Sequence, residues 1–113
     1  MRRSIPLAYV TASYSDCSTG AQIAKAAQKY CTRIKEAGYI PICSDMYLSM
    51  FLKRNNAKDK VLYKEMSEEL RRRCRVLVVC DEPSGETVAS DIALAKKLRI
   101  AITTLEGIEK VEE

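Results

Sequence analysis

Carboxylates crowd one short stretch, DEPSGETVASDIALA, over residues 81–95. Asp81 and Glu82 close an apolar run, Ser84 and Gly85 supply a small-residue turn, and Glu86 and Asp91 stand near the start of a helical pattern. Ser84 and Glu86 have a complete structural explanation, because a helix N-terminus favours an accepting side chain and negative charge. Asp91 has none. It lies three residues after Val88 and four before Ala95, so it shares the helix's apolar face. A carboxylate there needs either a partner inside the fold or a task at a bound ligand. The residues alone leave both open.

The 113-residue chain contains no histidine. That removes Ser-His-Asp and Cys-His catalysis, histidine-ligated zinc and imidazole acid–base chemistry together. Chemistry must then run on carboxylates, Tyr, Ser/Thr, Lys or backbone dipoles. Tyr14, between Ser13 and Ser15, is the second candidate; it follows the first apolar run and is expected beside Asp91. No G-x-G-x-x-G or G-x-x-x-x-G-K-[ST] is present, so dinucleotide and P-loop readings fail on residue type. The five cysteines are an odd number without a C-x-x-C pair and most sit in or beside apolar runs. They read as small hydrophobes in a reducing cytoplasm, with no metal and no cofactor implied.

These residues must be positioned by a small α/β domain. Apolar residues make 47% of the chain and charged residues 30%, a profile that suits one folded domain over residues 1–113. Leu7–Thr11 reads as a buried strand, Gly20–Ala37 as a helix stopped by Gly38, and Tyr39–Cys43 as a second strand, at a sheet edge because of Pro41. Between Ser44 and Lys60, Met46, Tyr47, Leu48, Met50, Phe51 and Leu52 are apolar on too many sides for a monomer's surface helix. A lid or a subunit contact would explain them. Lys58–Arg73 follows as a helix whose buried stripe is expected at Leu62, Met66 and Leu70. Arg75–Asp81 is the clearest buried strand, Val88 to Leu98 a helix, and Ile100–Thr103 a last strand, after which the acidic tail is expected to fray. Alternating strands and helices argue for a mostly parallel sheet of four or five strands with helices on both faces. In such folds ligands sit beyond the carboxyl ends of strands. The rule singles out Thr11–Ser15, Cys43–Tyr47 and Asp81–Thr87.

The net charge of +4 permits anionic partners without demanding nucleic acid. The basic run Arg71-Arg72-Arg73-Cys74-Arg75 falls at a helix C-terminus, where cations complement the macrodipole, and no aromatics are interleaved with it. No apolar stretch approaches the ~20 residues of a membrane span. The basic start lacks the apolar region a signal peptide carries.

At these residues the chain resembles the nucleoside 2-deoxyribosyltransferase-like superfamily. AYVTASYS looks like its first strand and turn, AGYIPICSDMYLSMFL like its second strand and apolar excursion, and MSEELRRRCRVLVVCDEPSGETVASDIALAKKLRIAI like its closing helix, strand and S-E-G-M-x-x-E element. The resemblance implies a flavodoxin- or Rossmann-like three-layer sandwich that cleaves N-glycosidic bonds of a nucleoside or nucleotide, by transfer or hydrolysis, through a carboxylate nucleophile. Asp91 matches the nucleophile, Tyr14 the tyrosine that orients it, and Glu86 with Thr87 the E-G of the motif. Asp81 would contact ribose or base, Asp45 and Tyr47 would line the base side, and Thr11, Ser13, Ser15, Ser84 and Gly85 would complete the pocket. Such relatives assemble as dimers or larger oligomers, so a homo-oligomer is expected. Asp91 stands where that family has glutamate, one methylene longer, and Thr87 where it has glycine. A displacement of about 1 Å can cost on the order of 10²-fold in rate. A nucleotide-binding or regulatory oligomer of the same fold is therefore the alternative.

Overall fold

The two most continuous apolar runs become the two central strands. The structure is a computed structural model that describes residues 5–12, 20–48, 50–53, 55–80 and 86–111. Its elements run β1 (Leu7–Thr11), α1 (Gly20–Glu36), β2 (Ile40–Ile42), α2 (Ser44–Leu48), α3 (Ala57–Arg72), β3 (Val76–Val79), α4 (Glu86–Leu98), β4 (Ala101–Thr104) and α5 (Leu105–Val111). All strand pairings are parallel and the order is β2-β1-β3-β4. Ala8 pairs with Val76 and Thr11 with Val79 across the centre. β2, carrying Pro41, lies at an edge, where a missing N–H costs no ladder bond.

Strand periodicity splits the core in two. On one face Ala8, Val10, Val76 and Val78 pack with Ala27 and Ile34 of α1 and with Leu105 and Ile108 of α5. On the other, Tyr9 and Leu77 pack with Leu70 of α3, Cys74, and Ile92 and Ala95 of α4. This is the flavodoxin- or Rossmann-like three-layer arrangement. Strand order reverses between β1 and β3, so the switch-point crevice lies beyond Thr11 and Val79.

Two helices end on left-handed residues. Gly38 has φ 96°, with Tyr39 N donating to Ile34 O at 3.3 Å and Gly38 N to Lys35 O at 3.0 Å, a Schellman cap. Arg99 ends α4 in the same way at φ 60°, with Ile100 N donating to Ala95 O at 2.8 Å.

Two expectations are corrected. Residues 105–111 do not fray but form α5. Thr104 Oγ1 accepts from Gly107 N at 3.0 Å and caps α5, whose Leu105 and Ile108 join the core. The stripe on α3 is also rotated. Leu70 packs on the core as expected, but Leu62 and Met66 are 39% and 36% exposed, whereas Ser67 and Arg71 face inward. A polar pair made through Arg71 sets that rotation, which an apolar count on α3 could not register.

Candidate functional site

β1 is the platform of the site. Tyr9 and Thr11 alternate onto the same face as α3 and α4, and both are buried. α4 presents Val88, Asp91 and Ala95 to that face, as the spacing requires. Asp91 is 5% exposed, and its Oδ2 accepts a 2.7 Å hydrogen bond from Thr11 Oγ1. Its Oδ1 is ion-paired with Arg71 Nη1. The Arg71 guanidinium lies 5.4 Å from the centre of the Tyr9 ring, within cation–π range. The Tyr9 hydroxyl shares a hydrogen bond with Ser44 Oγ at the start of α2. One polar network thus ties α2, α3 and α4 to the central strand.

The electrostatics follow from burial. Loss of water pushes the Asp91 carboxyl above its ordinary value, while the Thr11 hydroxyl and the Arg71 guanidinium pull it back. Arg71 Nε is buried without a hydrogen-bond partner, a further desolvation cost on the pair. Each Asp91 oxygen already has a protein donor. A guanidinium held against the carboxylate withdraws the negative charge that a nucleophile brings to an oxocarbenium-like centre.

Of the sequence candidates, Thr11 and Asp91 meet at the switch point. Tyr47 stands apart: it is exposed, and its ring packs edge-on against Phe51 at 5.2 Å between centroids. Asp45 lies in α2 and Glu86 and Thr87 in the first turn of α4, but their side chains are outside the described residues. Ser13, Tyr14, Ser15, Asp81, Ser84 and Gly85 lie outside them altogether.

Sequence reasoning missed Arg71, Tyr9 and Ser44. Arg71 was assigned to the helix dipole together with its basic neighbours. Nothing in the sequence separates it from Arg72 and Arg73; the packing of α3 on the sheet puts it on the face of buried Ser67, four residues earlier.

Burial also pushes the thiols of Cys31 and Cys74 up to about 11, with Cys43 adding to the rise at Cys31; both stay protonated and poorly nucleophilic near neutral pH. Among the described residues no group of three or more His, Cys, Asp or Glu is placed to hold a metal. A groove of about 520 Å³ lies on the α1 side of the sheet, lined in part by Ala24, Cys31, Pro41 and Met46 and rimmed by Lys25 and Lys35. It contains none of the candidate residues. The strand-end position carries more weight than that groove, because a switch point arises from the topology itself.

A family model covers nearly all of this architecture, matching residues 6–105 from the lead into β1 to the start of α5. The chain belongs to the family described as Domain of unknown function (DUF7768). The match takes in the DUF7768 sheet and the whole Ser44–Tyr9–Arg71–Asp91–Thr11 network. No curated protein matches the chain.

Proposed function

We propose that the chain binds a nucleoside or nucleotide in the crevice beyond the carboxyl ends of β1 and β3, with Thr11 and Asp91 at its base, and that it holds this ligand without turning it over. The observation that carries the reading is the state of Asp91. It lies at the switch point, where α/β folds take ligands, yet both its oxygens are engaged by Thr11 and Arg71. The resemblance of the AYVTASYS and SGETVASD blocks to nucleoside 2-deoxyribosyltransferases supports the ligand class.

The second reading is N-glycosidic cleavage or deoxyribosyl transfer with Asp91 as nucleophile. It is favoured by the desolvation of Asp91 at the matching position on α4. Tyr14 would orient the carboxylate, and Glu86 and Thr87 would approach the sugar.

One experiment separates the two. The wild-type protein and Asp91→Asn are incubated with 2′-deoxynucleosides and their 5′-monophosphates, with and without an acceptor base. Melting shifts and released base are both recorded. A shift in wild type without product is the expected result. Free base or exchanged nucleoside, lost in Asp91→Asn, would establish the enzyme instead. No shift and no product with any compound would sink both readings.

A further inference from the structure

α3 opens against its own dipole. A helix N-terminus favours acids, yet exposed Lys58 and Lys60 stand at its start. The acid of the first turn, Asp59, is already engaged: its Oδ2 accepts from Lys53 N at 2.7 Å, and its own N–H donates to Oδ1 of the capping Asn56 at 3.0 Å. The first of these bonds also holds exposed Lys53 against the start of the helix. Glu65, Glu68 and Glu69 begin five residues beyond Lys60, about 7 Å further along the axis. Lys53, Lys58 and Lys60 therefore gather where helix stability alone would not put them.

The turn ahead of them is apolar and stands out from the body. Tyr47, Met50 and Phe51 are 58%, 79% and 51% exposed. They form one surface: the Tyr47 and Phe51 rings meet edge to face, and Met50 N donates to Tyr47 O at 3.2 Å. Phe51 N and Leu52 N both donate to the carbonyl of buried Leu48, so the turn is anchored while its side chains face water. Contiguous apolar surface held out in this way marks an interaction site.

Shape and charge identify the occupant. A peptide is recognised in a groove or along a sheet edge, whereas these residues form a convex tip, and the groove beside α1 contains none of them. A single nucleic-acid strand stacks its bases on open ring faces, whereas Tyr47 and Phe51 are packed against each other. An apolar tip flanked by cations fits a deformable anionic surface. Met and aromatic side chains enter the boundary between headgroups and acyl chains, and lysines reach the phosphates.

We infer that the chain docks peripherally on an anionic lipid surface through α2 and its following turn, with Tyr47, Met50 and Phe51 inserted and Lys53, Lys58 and Lys60 against the headgroups. α2 has five residues, far short of a bilayer span, so the contact is interfacial and salt-sensitive. The inference stands apart from the ligand proposal, because Thr11, Arg71 and Asp91 take no part in it.

Co-sedimentation of the full chain with vesicles tests it, using phosphatidylcholine alone and phosphatidylcholine mixed with phosphatidylserine. Binding is expected to the mixed vesicles, and to fall at least several-fold without phosphatidylserine or at high salt. Lys58→Gln and Lys60→Gln are each expected to weaken it about 5-fold, the scale of one cation at such a surface. Met50→Ser with Phe51→Ser is expected to weaken it at least ~10-fold, the scale of losing two inserted apolar side chains. Both side chains lie outside the core, so this variant retains the wild-type circular dichroism. No binding to the mixed vesicles would overturn the proposal, as would binding indifferent to Met50→Ser with Phe51→Ser. Tighter binding to a single-stranded oligonucleotide than to the mixed vesicles, lost in the same double variant, would overturn it in favour of nucleic acid.

Discussion

The two faces of the sheet each carry an arginine–carboxylate pair, and burial gives them opposite characters. On the α3–α4 face, Arg71 and Asp91 have side chains 11% and 7% exposed. On the α1–α5 face, Arg33 donates from Nε and Nη2 to both oxygens of Glu109 at 2.8 Å, with side chains 41% and 37% exposed. Hydrogen bonds from Arg33 hold the Glu109 carboxyl below its ordinary value. At Asp91 desolvation outweighs an equally direct guanidinium, and the carboxyl is held above its own. The same chemical pair latches two helices in solvent and sets a costly constraint in the core. Such a constraint persists in a fold when it specifies geometry or serves a ligand.

The largest expected effect comes from stranding the buried carboxylate. Arg71→Met leaves Asp91 to be buried either as an unpaired charge or as a carboxyl protonated at a cost, and the loss is expected at up to ~3–5 kcal/mol near neutral pH in chemical denaturation. It should shrink on acidification, because Asp91 then protonates and no longer buries a charge. Replacing both partners, Arg71→Met with Asp91→Leu, is expected to return stability to within ~1 kcal/mol of wild type or above it, since a buried ion pair can be exchanged for apolar packing at no net loss. A single variant as stable as wild type at pH 7 would mean that Asp91 is solvated or has another partner, and the contrast between the two faces would break.

Those two variants also bear on how much could be read without coordinates. The parallel sheet was legible because β1 and β3 are unbroken apolar runs between helical patterns, and Pro41 marked the edge. Asp91 was legible as buried because the spacing from Val88 to Ala95 left it no other face. Its partner was not. Arg71 comes from a helix twenty residues earlier and sits in a run of cations, so only tertiary packing separates it from Arg72 and Arg73. The rotation of α3 was hidden for the same reason: Leu62 and Met66 have the spacing of a core stripe and the exposure of a surface. α5 was hidden because its core contribution is two residues, Leu105 and Ile108, inside an acidic tail whose capping Thr104 also ends a strand.

A smaller effect sharpens the comparison at Asp91 itself. Asp91→Asn keeps an acceptor for Thr11 and Arg71 and mimics the protonated carboxyl that the fold prefers. The folded pKa lies above the unfolded one. The favourable contribution of Asp91 is therefore present below the ordinary aspartate value and lost as pH rises through the folded value. Wild type should gain stability relative to Asp91→Asn as pH falls through that window; at neutral pH the variant escapes the desolvation of the carboxylate but leaves the buried Arg71 guanidinium without its counter-charge, so it is expected to be less stable than wild type. Wild type losing ground in acid instead would show that Arg71 dominates over desolvation. The same variant removes the nucleophile of the glycosyl reading while preserving the fold.

The smallest effect belongs to the exposed pair. Glu109 has its folded pKa below the unfolded one, so its contribution is present above the ordinary glutamate value and lost as pH falls through the folded value, opposite in sign to Asp91. Arg33→Lys keeps the charge but cannot reproduce two parallel donors, and it is expected to cost little at low salt and nothing measurable at 1 M salt, where the screening length falls to about 3 Å. The loss in Arg71→Met should persist at both, because solvent ions do not enter the core. Denaturation of the two variants at low and high salt therefore separates the faces along one axis. An Arg33→Lys effect that survives high salt would mean that α5 depends on the shape of this contact and that the solvent-side latch is part of the packed structure.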